Sequence, residues 1–357
     1  METACVGLQL LTGLAFPHSH RILYLDSTSS VVELTQARHS TDMYIPPAGE
    51  RIGSGGFGDV YKAYTAKYNG ATSGWHQLTL LRGLTHPNIN APLYAIDWTT
   101  PTGKPVRFSI APLMPGTLLD HMNGRQRMKN MEAACVSFQL LTGLAFLHGQ
   151  RILHLDVKLE NILFDSTAFV AKLADFGSST TISDDRRVQM SPHRVTLPYR
   201  PPELLLRGVT QYGTGPVVLW SAGVFIAELR YGQQLFSGDT AQEVFGSIVD
   251  VFGEPNRQQL AELVVPPSTP YFDLPTGCGH GGRSVPLPSR VLQLATNAGF
   301  RRLTAPLREL VVYVCRLLCY QPSQRSSARL VRRLRLSAPP IRQAELASRP
   351  AVQPGLL

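Results

Sequence analysis

His154-Leu155-Asp156-Val157-Lys158-Leu159-Glu160-Asn161-Ile162-Leu163 is the stretch on which the reading of this sequence turns, with Ala174-Asp175-Phe176-Gly177 a short way downstream. Two carboxylates, an amide and a lysine sit in loops on either side of an apolar run, Ile162 to Phe164, that reads as a buried strand. Moving a phosphoryl group off a magnesium-bound nucleotide needs a carboxylate to orient the attacking hydroxyl and hard oxygen ligands for the metal. Asp156 suits the first role, and Asn161 and Asp175 suit the second. Lys158 can neutralise the phosphate in transit. A lone Asp or Asn in a loop is more often a turn or cap residue, so the argument rests on the set.

Upstream lies Gly53-x-Gly55-x-x-Gly58-x-Val60, a tight turn whose backbone N–H groups can approach phosphates. It runs on into Val60-Tyr61-Lys62-Ala63, which reads as strand and disfavours the dinucleotide-binding version of the pattern. Downstream come Thr196-Leu197-Pro198-Tyr199-Arg200-Pro201-Pro202-Glu203, then Leu235 to Thr240, Phe252-Gly253-Glu254-Pro255, and Arg325 after Pro322. In this order the motifs resemble the eukaryotic protein kinase domain over about residues 47–337. Lys158 marks the serine/threonine type, and the large lobe is similar to the cyclin-dependent-kinase-like (CMGC) group.

The resemblance implies an α+β, bilobal fold with a small β-rich N-lobe and a larger helical C-lobe. It implies ATP and Mg²⁺ as cofactors, Asp156 as catalytic base, Lys158 as phosphate clamp, and Asn161 and Asp175 as metal ligands. Gly53, Gly55, Gly58 and Val60 would cover the nucleotide. Pro112 and Met114 would offer adenine a carbonyl and an N–H after the gatekeeper-like Ala111, whose small size would admit bulky inhibitors. Glu203 would pair with Arg325. The partner implied is a protein substrate phosphorylated on Ser or Thr; the loop around Arg200 resembles those of enzymes that select a following proline. No cyclin-binding signature is present.

The sequence also departs from the family. There are six lysines, and between Glu50 and Glu132 there is no glutamate. The lysine of the family's third strand and the helix-C glutamate that holds it are therefore not found; Gln77 stands where the glutamate is expected. Asp59 to His76 barely suffices for the strands and turns required, so the N-lobe is expected to lack its third strand. Lys62, which shares strand parity with Val60, is the candidate substitute. Leu155 replaces the arginine that pairs with a phosphorylated loop, removing that role from Ser191. Val218 replaces the helix-F aspartate, leaving buried N–H groups to find other partners.

An internal copy complicates the N-terminus. Residues 1–26 match residues 131–156 at 19 of 26 positions, and Asp26–Leu34 then resembles Asp165–Leu173. With its central loop missing and its sister already filling the core, the 1–43 segment is expected to be peripheral or poorly ordered. Deletion of residues 1–40 is expected to lower the melting temperature by no more than a few degrees. The kinase-like domain would span 44–337 (N-lobe 44–111, hinge 112–115, C-lobe 116–337), with 265–290 a surface insert and 338–357 a disordered tail.

Composition bounds the rest. The 357 residues are 43% hydrophobic and 17% charged, enough for a sizeable core. Five scattered cysteines without a C-x-x-C pair argue against a disulfide framework or zinc site and suit a reducing, cytoplasmic or nuclear setting. No uninterrupted apolar run reaches membrane length, and Glu2 with no A-x-A site speaks against a signal peptide. A net charge of +9 and the run Arg325 to Arg335 lack interleaved aromatics, so nucleic acid is not the expected partner. Three readings stay open: an active kinase, a pseudokinase that works by binding, and a rearranged gene copy whose intact form encodes the missing strand.

Overall fold

The computed structural model describes residues 19–26, 43–44, 51–55, 58–65, 81, 83–92, 94–99, 105–123, 128–182, 192–207, 215–263 and 314–325. Ser191, Gln77, the 265–290 insert and the 338–357 tail lie outside them. The chain divides into two compact units, Met1–Pro115 and Gly116–Leu357.

The first unit is built on one antiparallel sheet. Its strands are β1 (Ser19–Asp26), β2 (Met43–Tyr44), β3 (Arg51–Gly55), β4 (Gly58–Thr65), β5 (Tyr94–Thr99) and β6 (Pro105–Pro112). They run in the order β2-β4-β1-β6-β5, with β3 also paired to β4. The glycine-rich turn joins β3 to β4, with Gly55 opposite Gly58 and Gly53 opposite Val60.

One edge of β4 is thus taken by β3 and β2. Its other edge, where a strand following β4 through a short hairpin would return, is filled by β1. All eight residues of β1 pair with β4, from Ser19 opposite Thr65 to Asp26 opposite Gly58. On its far side Arg21 to Leu25 pair with Pro112 to Phe108 of β6. Ile22-Leu23-Tyr24-Leu25 is a near-continuous apolar, β-prone run of the kind central strands carry. The expectation of a peripheral N-terminal segment is therefore corrected for residues 19–26. Backbone groups left unpaired on a strand edge are costly, and among the described residues β1 supplies the partners for these edges of β4 and β6. The remainder of 1–43, apart from Met43, lies outside the described residues.

The second unit is largely helical: α1 (Leu118–Met122), α2 (Asn130–Gly149), α3 (Pro202–Arg207), α4 (Gly215–Tyr231), α5 (Ala241–Phe252) and α6 (Arg257–Leu263). Capping boxes start α1 at Thr117 with Asp120 and α5 at Thr240 with Glu243, each satisfying two N–H groups that a helix end leaves open. Helix α4 is the core, buried from Val217 to Arg230. Gly223 lets the 314–317 helical turn lie against it, since a Cβ there would meet the Leu318 side chain at 2.8 Å. Trp220 stacks on Phe236 at 5.9 Å, with Phe252 edge-on to both. Helix α2 has the length and apolarity of a membrane-crossing helix from Met131 to Gly149. In the structure its Ala133, Val136, Leu140, Leu141, Leu144 and Leu147 are buried in the unit's core.

Two short ladders frame the loops of interest: β7 (Ile152–Leu153) with β10 (Thr180–Thr181), and the hairpin of β8 (Ile162–Asp165) with β9 (Val170–Leu173). Gln139 of α2 clamps that hairpin, donating to Phe169 O at 3.1 Å and accepting from the Ala171 N–H at 2.9 Å.

Candidate active site

The loop from His154 to Lys158 is forced into shape by its neighbours. Leu155 has φ 67° and Asp175 φ 58°, left-handed conformations that cost a non-glycine residue about 1–3 kcal/mol. His154 supplies much of the compensation. Its Nε2–H donates to Ala174 O at 2.8 Å, and Nδ1 accepts the Asp156 N–H at 3.3 Å. The ring packs edge-on to Phe176 at 4.8 Å. Burial pushes the imidazole pKa down, outweighing the nearby carboxylates, so a neutral ring with one donor and one acceptor suits both contacts. Ala174 N–H in turn donates to Asn161 O at 2.9 Å. One histidine and one amide bond thus tie the Asp156 loop to the Asp175 loop.

Asp156, 5% exposed, is the hub. Oδ2 receives Lys158 Nζ at 3.0 Å and Asn161 Nδ2 at 2.9 Å. Oδ1 accepts the Thr196 hydroxyl at 2.5 Å, and Lys158 Nζ also donates to Thr196 Oγ1 at 3.0 Å. Burial alone would raise the carboxyl's pKa; the Thr196 hydrogen bond and the Lys158 charge more than offset it, and the net shift is downward. Asp156 is therefore an ionised carboxylate at neutral pH, with its oxygens already aimed.

Asn161 Nδ2 also bonds Asp156 O at 2.8 Å, which commits the amide nitrogen and leaves Oδ1 as the atom for a cation. Asp175 Oδ1 accepts the Gly177 N–H at 3.1 Å. An amide oxygen and a carboxylate fit magnesium, which takes one or two protein oxygens and leaves the rest to phosphate and water. No group of three or more His, Cys, Asp or Glu side chains that could hold a metal occurs among the described residues.

Glu203 and Arg325 form a buried bidentate pair: Nη1 meets Oε1 at 2.5 Å and Nη2 meets Oε2 at 2.7 Å. The other donors reach Pro216 O, Tyr320 O and Cys319 O, so all five guanidinium N–H groups have acceptors. Val218 is fully buried in α4. Three residues on, Ser221 Oγ donates to Tyr199 O at 2.9 Å, and the Tyr199 hydroxyl donates to Glu228 Oε2. Burial raises Glu228 to about 7, outweighing the Tyr199 hydrogen bond, and burial with the Glu228 charge raises Tyr199 as well.

In the other unit, Gly53, Gly55, Gly58 and Val60 occupy the β3–β4 hairpin as expected from the glycine spacing. Lys62 lies in β4 opposite Ile22. Met114 follows β6 and is half-buried, and Ala111 is buried. The Pro112 carbonyl already accepts a hydrogen bond from Asn90 Nδ2 at 3.2 Å.

Two participants were not singled out from sequence as site residues. Thr196 stood in a quoted motif, but its bond to Asp156 spans forty positions and has no local signature. Asn90, after His86-Pro87-Asn88-Ile89, carries a polar side chain where an apolar one would suit a buried position, and that was the available signal.

The fold and this site define a protein kinase domain. The family model of that name matches residues 48–334, and the chain belongs to that family. Among its relatives, protein kinase gsk31 of Schizosaccharomyces pombe is 30% identical over 256 residues, covering 66% of this chain and 64% of that one. Cyclin-dependent kinase C-2 of Oryza sativa subsp. japonica is 28% identical over 311 residues, covering 78% and 56%. Cyclin-dependent kinase C-1 of the same rice is 31% identical over 237 residues, covering 58% and 45%. The chain thus spans less than two thirds of the length of these relatives, which are serine/threonine kinases of the CMGC group.

Proposed function

We propose that this chain is a serine/threonine protein kinase that transfers the γ-phosphate of Mg-ATP to a protein hydroxyl. The observation that carries the reading is Asp156 held between Lys158, Asn161 and Thr196. Asp156 accepts the proton as the substrate oxygen bonds to the γ-phosphorus. The bond from phosphorus to the bridging oxygen breaks, and its electron pair leaves with ADP. Lys158 lies beside that path as a fixed positive charge. Asn161 Oδ1 and Asp175 are the protein oxygens for Mg²⁺, which when bound would neutralise the phosphates. Gly53, Gly55 and Gly58 would cover the phosphates, with Val60 and Met114 on the base.

The substrate we assign is a Ser or Thr followed by Pro. Arg200 donates to Val195 O twice, from Nη2 at 3.0 Å and Nε at 3.3 Å, filling both lone pairs of that carbonyl. A residue after the phosphoacceptor that carried an N–H would find this acceptor taken, whereas proline has none to satisfy. We place the chain in a reducing compartment, cytoplasmic or nuclear, on the free thiols of Cys135, Cys315 and Cys319. Two relatives carry cyclin dependence in their names; the partner proposed for this chain is the protein substrate alone.

The test is transfer of labelled γ-phosphate to a basic protein with Ser-Pro sites, with Asp156→Asn as control. Transfer equal in both would sink the reading.

One observation favours a pseudokinase instead. Strand β1, in the slot where the family carries its phosphate-binding lysine, has no lysine, and Asp26 stands opposite Gly58 of the glycine-rich turn. Without a lysine in that strand the phosphates lack a counter-charge, and Asp26→Lys, which supplies one, should tighten Mg-ATP binding about tenfold or more; an unchanged affinity would remove this argument.

A further inference from the structure

Asn90 is 3% exposed, and its two amide atoms have different fates. Nδ2 donates to Pro112 O at 3.2 Å. Oδ1 is buried with no hydrogen-bond partner. A buried carbonyl oxygen left unpaired is destabilising, and native structures that keep one owe an explanation for it. The Pro112 bond also fixes which way the amide faces: a flip would set Oδ1 against Pro112 O, two acceptors together.

Resting on the hinge reading of Pro112 and Met114, we propose that Asn90 is a base-reading residue that selects a purine with a 6-amino group. Adenine's exocyclic amine carries two N–H donors. One reaches the Pro112 carbonyl and the other satisfies Asn90 Oδ1. A purine with a 6-oxo group presents an acceptor to two acceptors, and the orphan stays unpaired. A site built to receive a donor rejects a ligand lacking it more strongly than shape alone can. Pro112, having no N–H, offers a 6-oxo group no compensating donor.

ATP and ITP differ at this ring position in the required way, amine against carbonyl. The experiment is titration of the full chain with Mg-ATP and Mg-ITP, alongside adenosine and inosine, whose binding needs no phosphate cradle. The wild type should bind the amino purines at least about tenfold tighter, the worth of one buried uncharged hydrogen bond. Asn90→Leu, close in shape and apolar, should lower the ratio by about tenfold, leaving only the preference that the Pro112 carbonyl supplies. Asn90→Asp keeps an acceptor at the position and should retain the amino preference. Thermal melts of both variants report whether the unit stays folded.

If Asn90→Leu weakens ATP and ITP equally, Asn90 is a structural tie between the 86–90 turn and β6, and the proposal falls while the hinge stands. If the folded wild type binds no purine, the hinge reading falls and takes the proposal with it.

Discussion

Residues 21–26, Arg-Ile-Leu-Tyr-Leu-Asp, and residues 151–156, Arg-Ile-Leu-His-Leu-Asp, differ at one position and fold differently. In the first copy all six are extended within β1, flanked by β4 and β6. In the second, Ile152 and Leu153 alone form a strand, and Arg151 and Leu155 take φ of 60° and 67°. Local preference cannot make this choice, because the letters are nearly the same. The first copy lies between two strands, and extension pairs Ser19–Asp26 with β4 and Arg21–Leu25 with β6. The second follows directly on α2, and its left-handed turns are held by His154 to Ala174 and by the bonds converging on Asp156. One segment is a central strand and the other a loop of the candidate active site, and their neighbours decide which is which.

Removing the first copy is the harshest way to test this difference. Deleting residues 1–26 strips β4 of eight paired positions and β6 of five. At a net contribution of about 0.5–1.5 kcal/mol per hydrogen bond, that is comparable with the whole stability of a domain, about 5–15 kcal/mol. Amide exchange of the full chain against the deletion should show protection lost throughout β4 and β6 while α4 keeps its own. Retained protection in both strands would mean that β1 is not what closes the sheet.

The terminal aspartates of the two copies give the next test. Asp156→Asn should lower phosphoryl transfer by about 10²–10⁴, the usual worth of a positioned general base. Asp26→Asn, in a strand of the other unit, should cause no such drop. A similar loss from both would place Asp26 in the chemistry and undo the contrast.

Much of the second unit was legible because its candidate site residues lie in short, contiguous motifs. Asp156, Lys158 and Asn161 fall within six positions, and the Glu203–Arg325 pair was anchored by motifs at both ends. The fate of β1 was hidden because strand pairing is non-local: a copy of an occupied segment looks redundant until its pairing with β4 and β6 is seen. Thr196 and Asn90 were missed for a related reason: Thr196 acts through bonds to Asp156 and Lys158, and Asn90 through its bond to Pro112, all far along the chain. Val218 stood out as a loss, yet Ser221 and Glu228 on the same helix hold the Tyr199 segment by contacts that no short motif announces.

Exchanging the one residue that separates the copies sharpens the comparison further. His154→Tyr should cost about 2–4 kcal/mol. The fully buried site must take a larger ring, at about 1–3 kcal/mol, and Ala174 O and the Asp156 N–H lose their partner. Tyr24→His in β1 should stay within about 1 kcal/mol, the span of strand preferences. Denaturant melts of the two single variants measure both, and equal costs would show that the second copy's turns do not depend on the imidazole.

The smallest effect concerns how the second copy's surroundings respond to pH. Glu228, bonded to the Tyr199 hydroxyl and to the Leu235 N–H, is raised by burial from 4.5 to about 7. Between those values the folded protein holds a proton that the unfolded chain releases, so this group makes stability fall as pH rises through the window. Below about 4.5 both states are protonated, and above about 7 both are ionised, so the slope vanishes at either end. The change should be on the order of 1–3 kcal/mol in total. Glu228→Gln keeps the hydrogen-bonding shape without the titration, so its unfolding midpoint should be flatter between pH 5 and 7 than that of the wild type. Equal pH slopes in the two proteins would mean that Glu228 stays ionised in the core, held by Tyr199 more firmly than burial opposes it.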